Sequence, residues 1–360
     1  MNSYFLCVTQ PTNAGDLVIN RMLVEELSLY GKVFVDCYNC PDAFRTLLIG
    51  NNDNVIDVYK EYGFTLKRGA FLPFAKLLKQ SEIGLYTQSP GPLNKHSKWS
   101  LRISFSIIRN ILSALHIPFV RIGCCCSKAI STNTNVIESQ NVQYYVRSLN
   151  GVDFLKKFRD NGISYIPDLA YLYHYKANFA SPKKIAVISF REVTDNYDRF
   201  LQWLRDCIAI LISNAYKIIF YYQVERDKEF MHRLYEQMKS DTICFKEDIV
   251  WYDKFDFYAD KSIVISNRLH CLLMGAVYNT VPYAYVNNDK KVKKISDVFE
   301  SSMGDDCSRF LSGDYNSEKL ACLVENVSEN QQLINSIVIR NADQCRNTIK
   351  SIVASCKKEL

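Results

Sequence analysis

The chain has 360 residues, more than one hydrophobic core usually fills, so two domains are expected. A hydrophobic fraction of 48% with 23% charged residues excludes a disordered or fibrous protein, and a net charge of +6 is too mild to point to nucleic acid. No apolar run has transmembrane length, and the 13 cysteines sit in a chain too long and too core-rich for a disulfide scaffold. Met1 to Gln10 lack the basic start and long apolar stretch of a secretory leader, so the thiols are expected to be reduced and mostly buried, in a cytoplasmic protein. The charge is uneven. No acidic residue lies between Glu82 and Glu138, a stretch holding Lys95, Lys98, Arg102, Arg109, Arg121 and Lys128.

In chain order, short apolar runs alternate with helical patterns. Tyr4–Thr9 reads as a strand, followed by a turn and a helix over Leu17–Tyr30 with Val18, Met22, Leu23 and Leu27 at helical spacing. Strands follow at Lys32–Asp36 and Ile83–Thr87, then an amphipathic helix at Trp99–Leu115, and strands at Pro118–Ile122 and Val142–Val146. After a polar and aromatic connector at Tyr173–Pro182 the pattern restarts. Strands are expected at Lys184–Ser189, Tyr216–Gln223, Ser262–Ile265 and Pro282–Val286, and helices at Tyr197–Ser213, Lys228–Met238 and Leu269–Tyr278. Such alternation predicts an α/β chain of two Rossmann-like, doubly wound domains facing across a cleft. The boundaries fall at 1–175 and 183–315, with a helical tail over 316–360.

Ligands of open parallel sheets bind at the carboxyl ends of strands, so polar residues there are the candidates. Asn13-Ala14-Gly15-Asp16 opens the first helix. Gly15 permits close backbone approach, and Asp16 either caps the helix or faces a sugar hydroxyl. Gln88-Ser89-Pro90-Gly91-Pro92 is either a plain turn or a loop presenting backbone N–H groups to a ligand. Arg147 follows Val142–Val146 at a strand-to-helix turn, where an anion binds or a surface ion pair forms. Asp168, just after Ile163–Ile166, is costly to bury unpaired; it either pairs with an arginine such as Arg147 or does chemistry. Ser266-Asn267-Arg268-Leu269-His270 places a permanent cation and an imidazole at a helix N-terminus, a setting for a bound phosphate or carboxylate and for proton transfer near neutral pH. No phosphate-binding P-loop, dinucleotide fingerprint or zinc-protease motif occurs.

Taken in order, these pieces resemble the polysaccharide pyruvyltransferase family: Asn13-Ala14-Gly15-Asp16, Pro90-Gly91-Pro92, Tyr145-Val146-Arg147-Ser148, Pro167-Asp168-Leu169-Ala170, Phe190-Arg191, Asn267-Arg268-Leu269-His270 and Asp289-Lys290-Lys291-Val292. Two departures stand out. Cys124-Cys125-Cys126 occupies the place of a Gly-rich turn, and Asp289-Lys290-Lys291 that of Asp-Pro-Lys.

The resemblance implies a GT-B-like fold, phosphoenolpyruvate as donor substrate, no cofactor and no metal. The acceptor would be a hexose hydroxyl pair, often on galactose, carried by a lipid-linked oligosaccharide; the product is a cyclic pyruvate ketal. Arg147, Arg268 and Lys291 would bind the donor, with Gly15, Gly91 and Leu269 completing the substrate site. His270 would act as general acid, with Asp16 or Asp168 as base. Rival readings are a GT-B glycosyltransferase using a nucleotide sugar and a non-catalytic carbohydrate-binding protein. The acid-free segment 99–115 reads either as a helix packed on the sheet or as a peripheral membrane contact.

Overall fold

The computed structural model describes residues 1–38, 40–93, 99–126, 142–286, 290–313 and 315–358, with backbone alone at 99–102, 290–292 and 358. The chain forms two compact units that are not sequential blocks. The first holds Met1–Pro11, Asp16–Leu169 and the chain from Asp343; the second holds Thr12–Gly15 and Ala170–Ala342.

The first unit contains strands β1 (Asn2–Leu6), β2 (Val33–Asp36), β3 (Val55–Asp57), β4 (Ile83–Gln88), β5 (Gly91–Pro92), β6 (Phe119–Cys125), β7 (Val142–Val146) and β8 (Ile163–Tyr165). Its helices are α1 (Ala14–Ser28), α2 (Asp42–Ile49), α3 (Val58–Tyr62), α4 (Phe71–Gln80), α5 (Trp99–Ala114) and α6 (Leu149–Lys156). The strands pair in the order β3-β2-β1-β4-β6-β7-β8, with β5 beside β6. Every pairing is parallel. A parallel sheet is covered on both faces, and β1, β2 and β4 are accordingly buried along nearly their whole length. Helix α5 packs Phe105, Ile108 and Leu112 into the same core as Phe74, Leu77 and Leu78 of α4.

The second unit contains β9 (Ile185–Ser189), β10 (Lys217–Phe220), β11 (Ile243–Phe245), β12 (Ile263–Ser266) and β13 (Val281–Ala284). Its helices are α7 (Tyr197–Ser213), α8 (Lys228–Met238), α9 (Leu269–Val277), α10 (Lys290–Met303), α11 (Glu318–Glu325) and the first half of α12 (Val327–Lys358). The strand order is β11-β10-β9-β12-β13, again all parallel. Helix α7 buries Phe200, Trp203, Leu204, Cys207, Ile208 and Leu211, the single apolar stripe its sequence spacing predicts. Helix α9 is apolar on every side and buried after its first turn. It lies so close to β12 that a Cβ at Gly275 would come within 2.5 Å of Val264, so glycine is needed there for the approach.

Among the described residues, no helix is long and apolar enough to cross a membrane.

Candidate functional site

In the second unit, strand order reverses between β9 and β12, where the chain leaves toward opposite sides of the sheet. Such a switch point opens a crevice at the strands' carboxyl ends. Two chain exits meet here, Ser189-Phe190-Arg191 and Ser266-Asn267-Arg268. The Asn267 amide clamps them: its Oδ1 accepts from the Arg191 N–H at 2.6 Å and its Nδ2 donates to the Arg191 carbonyl at 3.0 Å. Ser266 Oγ donates to the Ser189 carbonyl and accepts from the Arg268 N–H at 2.9 Å. Arg268 therefore stands fixed in extended conformation as the N-cap of α9. Its guanidinium is buried, paired through Nη2 with Asp227 at the end of the turn after β10, and its Nε has no hydrogen-bond partner among the described residues. Burial pushes the Asp227 carboxyl above its ordinary value, and Arg268 opposes that rise.

His270 follows in the first turn of α9, half-buried. The Asn13-Ala14-Gly15 turn comes against it. Asn13 bridges to Val224, its Oδ1 accepts from the Gly15 N–H at 3.1 Å, and a Cβ on Gly15 would stand 2.2 Å from His270 Nδ1. Only glycine leaves room for the imidazole. The turn and the Arg-Leu-His motif, remote in sequence, thus share one site. Leu269 is buried and anchors the helix rather than facing solvent.

A buried polar chain lies behind this turn. Cys271 Sγ donates to Gln223 Oε1 at 3.1 Å, Gln223 Nε2 donates to Tyr258 Oη at 2.8 Å, and Tyr258 meets Tyr221 Oη at 2.6 Å. Burial raises the pKa of Cys271, Tyr221 and Tyr258, so the chain is neutral and braces α9 without adding charge.

The first unit has its own switch point, between β1 and β4. Ser89 Oγ accepts from the Val8 N–H at 2.8 Å and donates to Asn20 Oδ1 at 2.6 Å; Asn20 Nδ2 donates to the Asp16 carbonyl at 2.6 Å. The Asp16 turn and the Gln88–Pro92 loop are therefore joined through Asn20. Asp16 is partly exposed, and one of its carboxylate oxygens accepts from the Gln10 N–H at 3.4 Å. Gly91 has φ 144° with no atom within 4 Å of a Cβ position, so the backbone angle, not crowding, calls for glycine.

Arg147 and Asp168 do meet. Arg147 Nη1 binds Asp168 Oδ2 at 2.8 Å with the side chains only 2% and 1% exposed, and Nη2 donates to Cys125 Sγ at 3.4 Å. Burial works against the guanidinium charge, but Cys125 and Asp168 hold its pKa above the ordinary arginine value. Its Nε is buried without a hydrogen-bond partner among the described residues. Of the two alternatives open for Asp168, pairing with Arg147 is the geometry found. The Lys291 side chain lies outside the described residues; its backbone belongs to the first turn of α10. Among the described residues no cluster of His, Cys, Asp or Glu is placed to hold a metal ion.

Sequence reasoning missed Asp227, Gln223 and Asn20. Asn20 carried a signal, a polar residue inside an apolar helical stripe, four positions after Asp16. Asp227 and Gln223 carried none, because only the pairing of β9 with β10 and β12 brings them to α9.

Two parallel α/β units of this kind define a GT-B-like protein, and solved structures show the same fold. A glycosyltransferase from Rickettsia africae matches with a TM-score of 0.61 at 13% identity, covering 99% of each chain. The UDP-GlcNAc 2-epimerase of Neisseria meningitidis bound to UDP-GlcNAc matches at 0.58 and 9%, covering 99% of this chain and all of that one, 100%. The UDP-GlcNAc 2-epimerase of Methanocaldococcus jannaschii matches at 0.55 and 13%, covering 90% and 92%. No protein-family model and no curated protein matches the chain. At these identities the likeness is one of fold.

Proposed function

We propose that this chain transfers the pyruvyl unit of phosphoenolpyruvate to a hydroxyl pair on a galactose-type hexose of a surface-polysaccharide precursor. The observation that carries the reading is the meeting of Asn13-Ala14-Gly15 with Asn267-Arg268-Leu269-His270, which brings together two members of the pyruvyltransferase-like motif series that lie far apart in the chain. In this reading the second unit binds the donor. Its phosphate lies at the N-terminus of α9 beside Arg268, with Lys291 as a further cation. His270 protonates the vinyl CH2 of phosphoenolpyruvate, making the adjacent carbon electrophilic. A sugar hydroxyl adds to that carbon and gives its proton to a base. The second hydroxyl then displaces phosphate, which leaves with the C–O bond electrons and takes up that hydroxyl's proton, closing the ketal. Asp16 is the better base, since Asp168 is engaged with Arg147 in a buried pair; Arg147 then serves to hold the turn after β7.

A second reading, glycosyl transfer from a nucleotide sugar, draws support from the fold shared with a glycosyltransferase and with an epimerase bound to UDP-GlcNAc. The anion-binding helix terminus suits a diphosphate as well as a phosphoenolpyruvate. Incubation with phosphoenolpyruvate and a galactose-containing acceptor separates the two. Phosphate release with a ketal product, reduced on the order of 10²–10⁴-fold in His270→Ala, is expected. Absence of product across an acceptor panel, with thermal protection by nucleotide sugars only, would overturn the pyruvyl reading in favour of glycosyl transfer.

A further inference from the structure

One exposed region of the first unit remains unassigned by the site described above. Helix α4 buries Phe74, Leu77 and Leu78, so its opposite face carries Leu72, Lys76 and Lys79 at i, i+4 and i+7. All three are exposed, and Leu72, at 85%, is the most exposed large apolar side chain among the described residues. The single 3-10 turn ahead of α4, Leu66–Arg68, adds exposed Lys67 and Arg68, and Arg68 lies over the Tyr38 ring at 4.4 Å.

Topology places Lys67, Arg68 and Leu72 at one edge. Helix α4 leads into β4 and α5 leads into β6; β4 and β6 are parallel neighbours, and α4 packs on α5. Both helices therefore start at the carboxyl edge of the sheet. The Leu66 N–H donates to Asp36 at the end of β2, which fixes the 3-10 turn at that same edge. Exposed Ile103, near the start of α5, joins Leu72 there. Exposed acid at this edge is limited: Asp42, at the start of α2, is bonded to Arg45 at 3.3 Å. No acidic residue lies between Glu61 and Glu82, and Glu82, between α4 and β4, sits at the far edge. Asp36 is buried and bound by Tyr4 and Thr65, and Asp57 is paired with Arg45, so neither offsets the basic groups. Exposed Glu61, at the end of α3, is the nearest acid in sequence.

We propose that the Lys67–Lys76 segment is a docking surface for an anionic phospholipid bilayer, with Leu72 entering the headgroup region and Lys67, Arg68 and Lys76 lying against lipid phosphates. A solvated apolar side chain ringed by lysine and arginine on a helix start is what an interfacial contact requires: hydrocarbon to bury and positive charge to meet the lipid. The charge argues against a second copy of this face, because two such edges would repel. The proposal stands independently of the donor chemistry and shifts the expected lipid contact from α5, whose apolar face is spent on the core, to the start of α4.

Flotation of the full chain with phosphatidylglycerol vesicles tests it, with phosphatidylcholine vesicles as control. Binding to the anionic vesicles alone is expected, weakened by salt, and reduced roughly tenfold in Leu72→Ser and in the pair Lys67→Ala with Lys76→Ala. Both variants should melt as the parent does, since the side chains are exposed. Failure to float, or binding unchanged in Leu72→Ser, would overturn the proposal. Self-association that depends on Leu72, seen by sedimentation without flotation, would overturn it too and give the face to a second copy.

Discussion

At the scale of single residues, Arg147 and Arg268 do not stand alone as charges: each has acquired a buried carboxylate. Arg147 holds Asp168 and Arg268 holds Asp227, and each keeps one donor nitrogen, Nε, in reserve. A buried pair broken on one side leaves an uncompensated charge, costing about 3–5 kcal/mol, so both arginines also support the fold. The cysteines show the same dependence on neighbours. Cys7 and Cys40 approach to 3.8 Å between sulfurs. The hydrogen bond from Cys7, helped by Lys67 and Arg45 and opposed by burial, lowers the Cys40 thiol to about 7, while burial chiefly pushes Cys37 up to about 12. The thiolate is the form that alkylates. Labelling of Cys40 by iodoacetamide should therefore rise with pH through a midpoint near 7, below the ordinary thiol value of about 8.5, and Cys37 should stay unlabelled beyond it. Peptide mapping across a pH series reads both; a Cys40 midpoint at the ordinary value would mean that Cys7 does not donate to it.

At the scale of elements, the start of α9 is held by side chains rather than by its own helical bonds. The Asn267 clamp on Arg191 joins the ends of β9 and β12, and Ser266 supports the residue that follows. Replacing Asn267 with Ala leaves a backbone N–H and a carbonyl of Arg191 without partners. It should lower urea-unfolding stability by about 1–3 kcal/mol. Asn267→Asp keeps the acceptor and loses the donor, and should fall between. Equal stability of all three would show that water replaces the clamp. Element readings from sequence succeeded where an amphipathic period runs long, as in α7 and α8, whose expected limits coincide with those found. They failed at β3 and β11. Each is a three-residue strand at a sheet edge, too short to show any period. Helix α4 was missed as well, since its opening Phe71-Leu72-Pro73 places an exposed leucine and a proline where a core-facing stripe would begin.

At the scale of the molecule, neither unit is a continuous stretch of chain. The segment from Asp343 onward belongs to the first unit and buries Cys345, Ile349, Ile352 and Val353, with Arg346 bonded to Glu26 at 3.2 Å and Cys345 to the Pro167 carbonyl at 3.5 Å. Truncation after Ala342 should destabilise the first unit by upwards of about 5 kcal/mol, since several full apolar side chains at about 1.5–3 kcal/mol each are lost. Hydrogen exchange should then rise throughout β1, β2 and α1 while β9, β10 and β12 stay protected. Uniform protection in both units would show that the last helix contributes little to the first.

The sequence by itself determined two Rossmann-like α/β halves, because alternating apolar strands and amphipathic helices are local patterns with fixed periods. It also marked Arg268, His270, Gly15 and Asp16 as candidates, because charged or glycine residues at strand ends stand out against apolar runs. Tertiary structure alone decided that Gly15 seats the His270 ring, that Asp168 pairs with Arg147, that Asp227 pairs with Arg268, and that the final helix is shared between units. Those facts depend on which strand lies beside which, and a contact between residues far apart in the chain leaves no periodic trace in either segment.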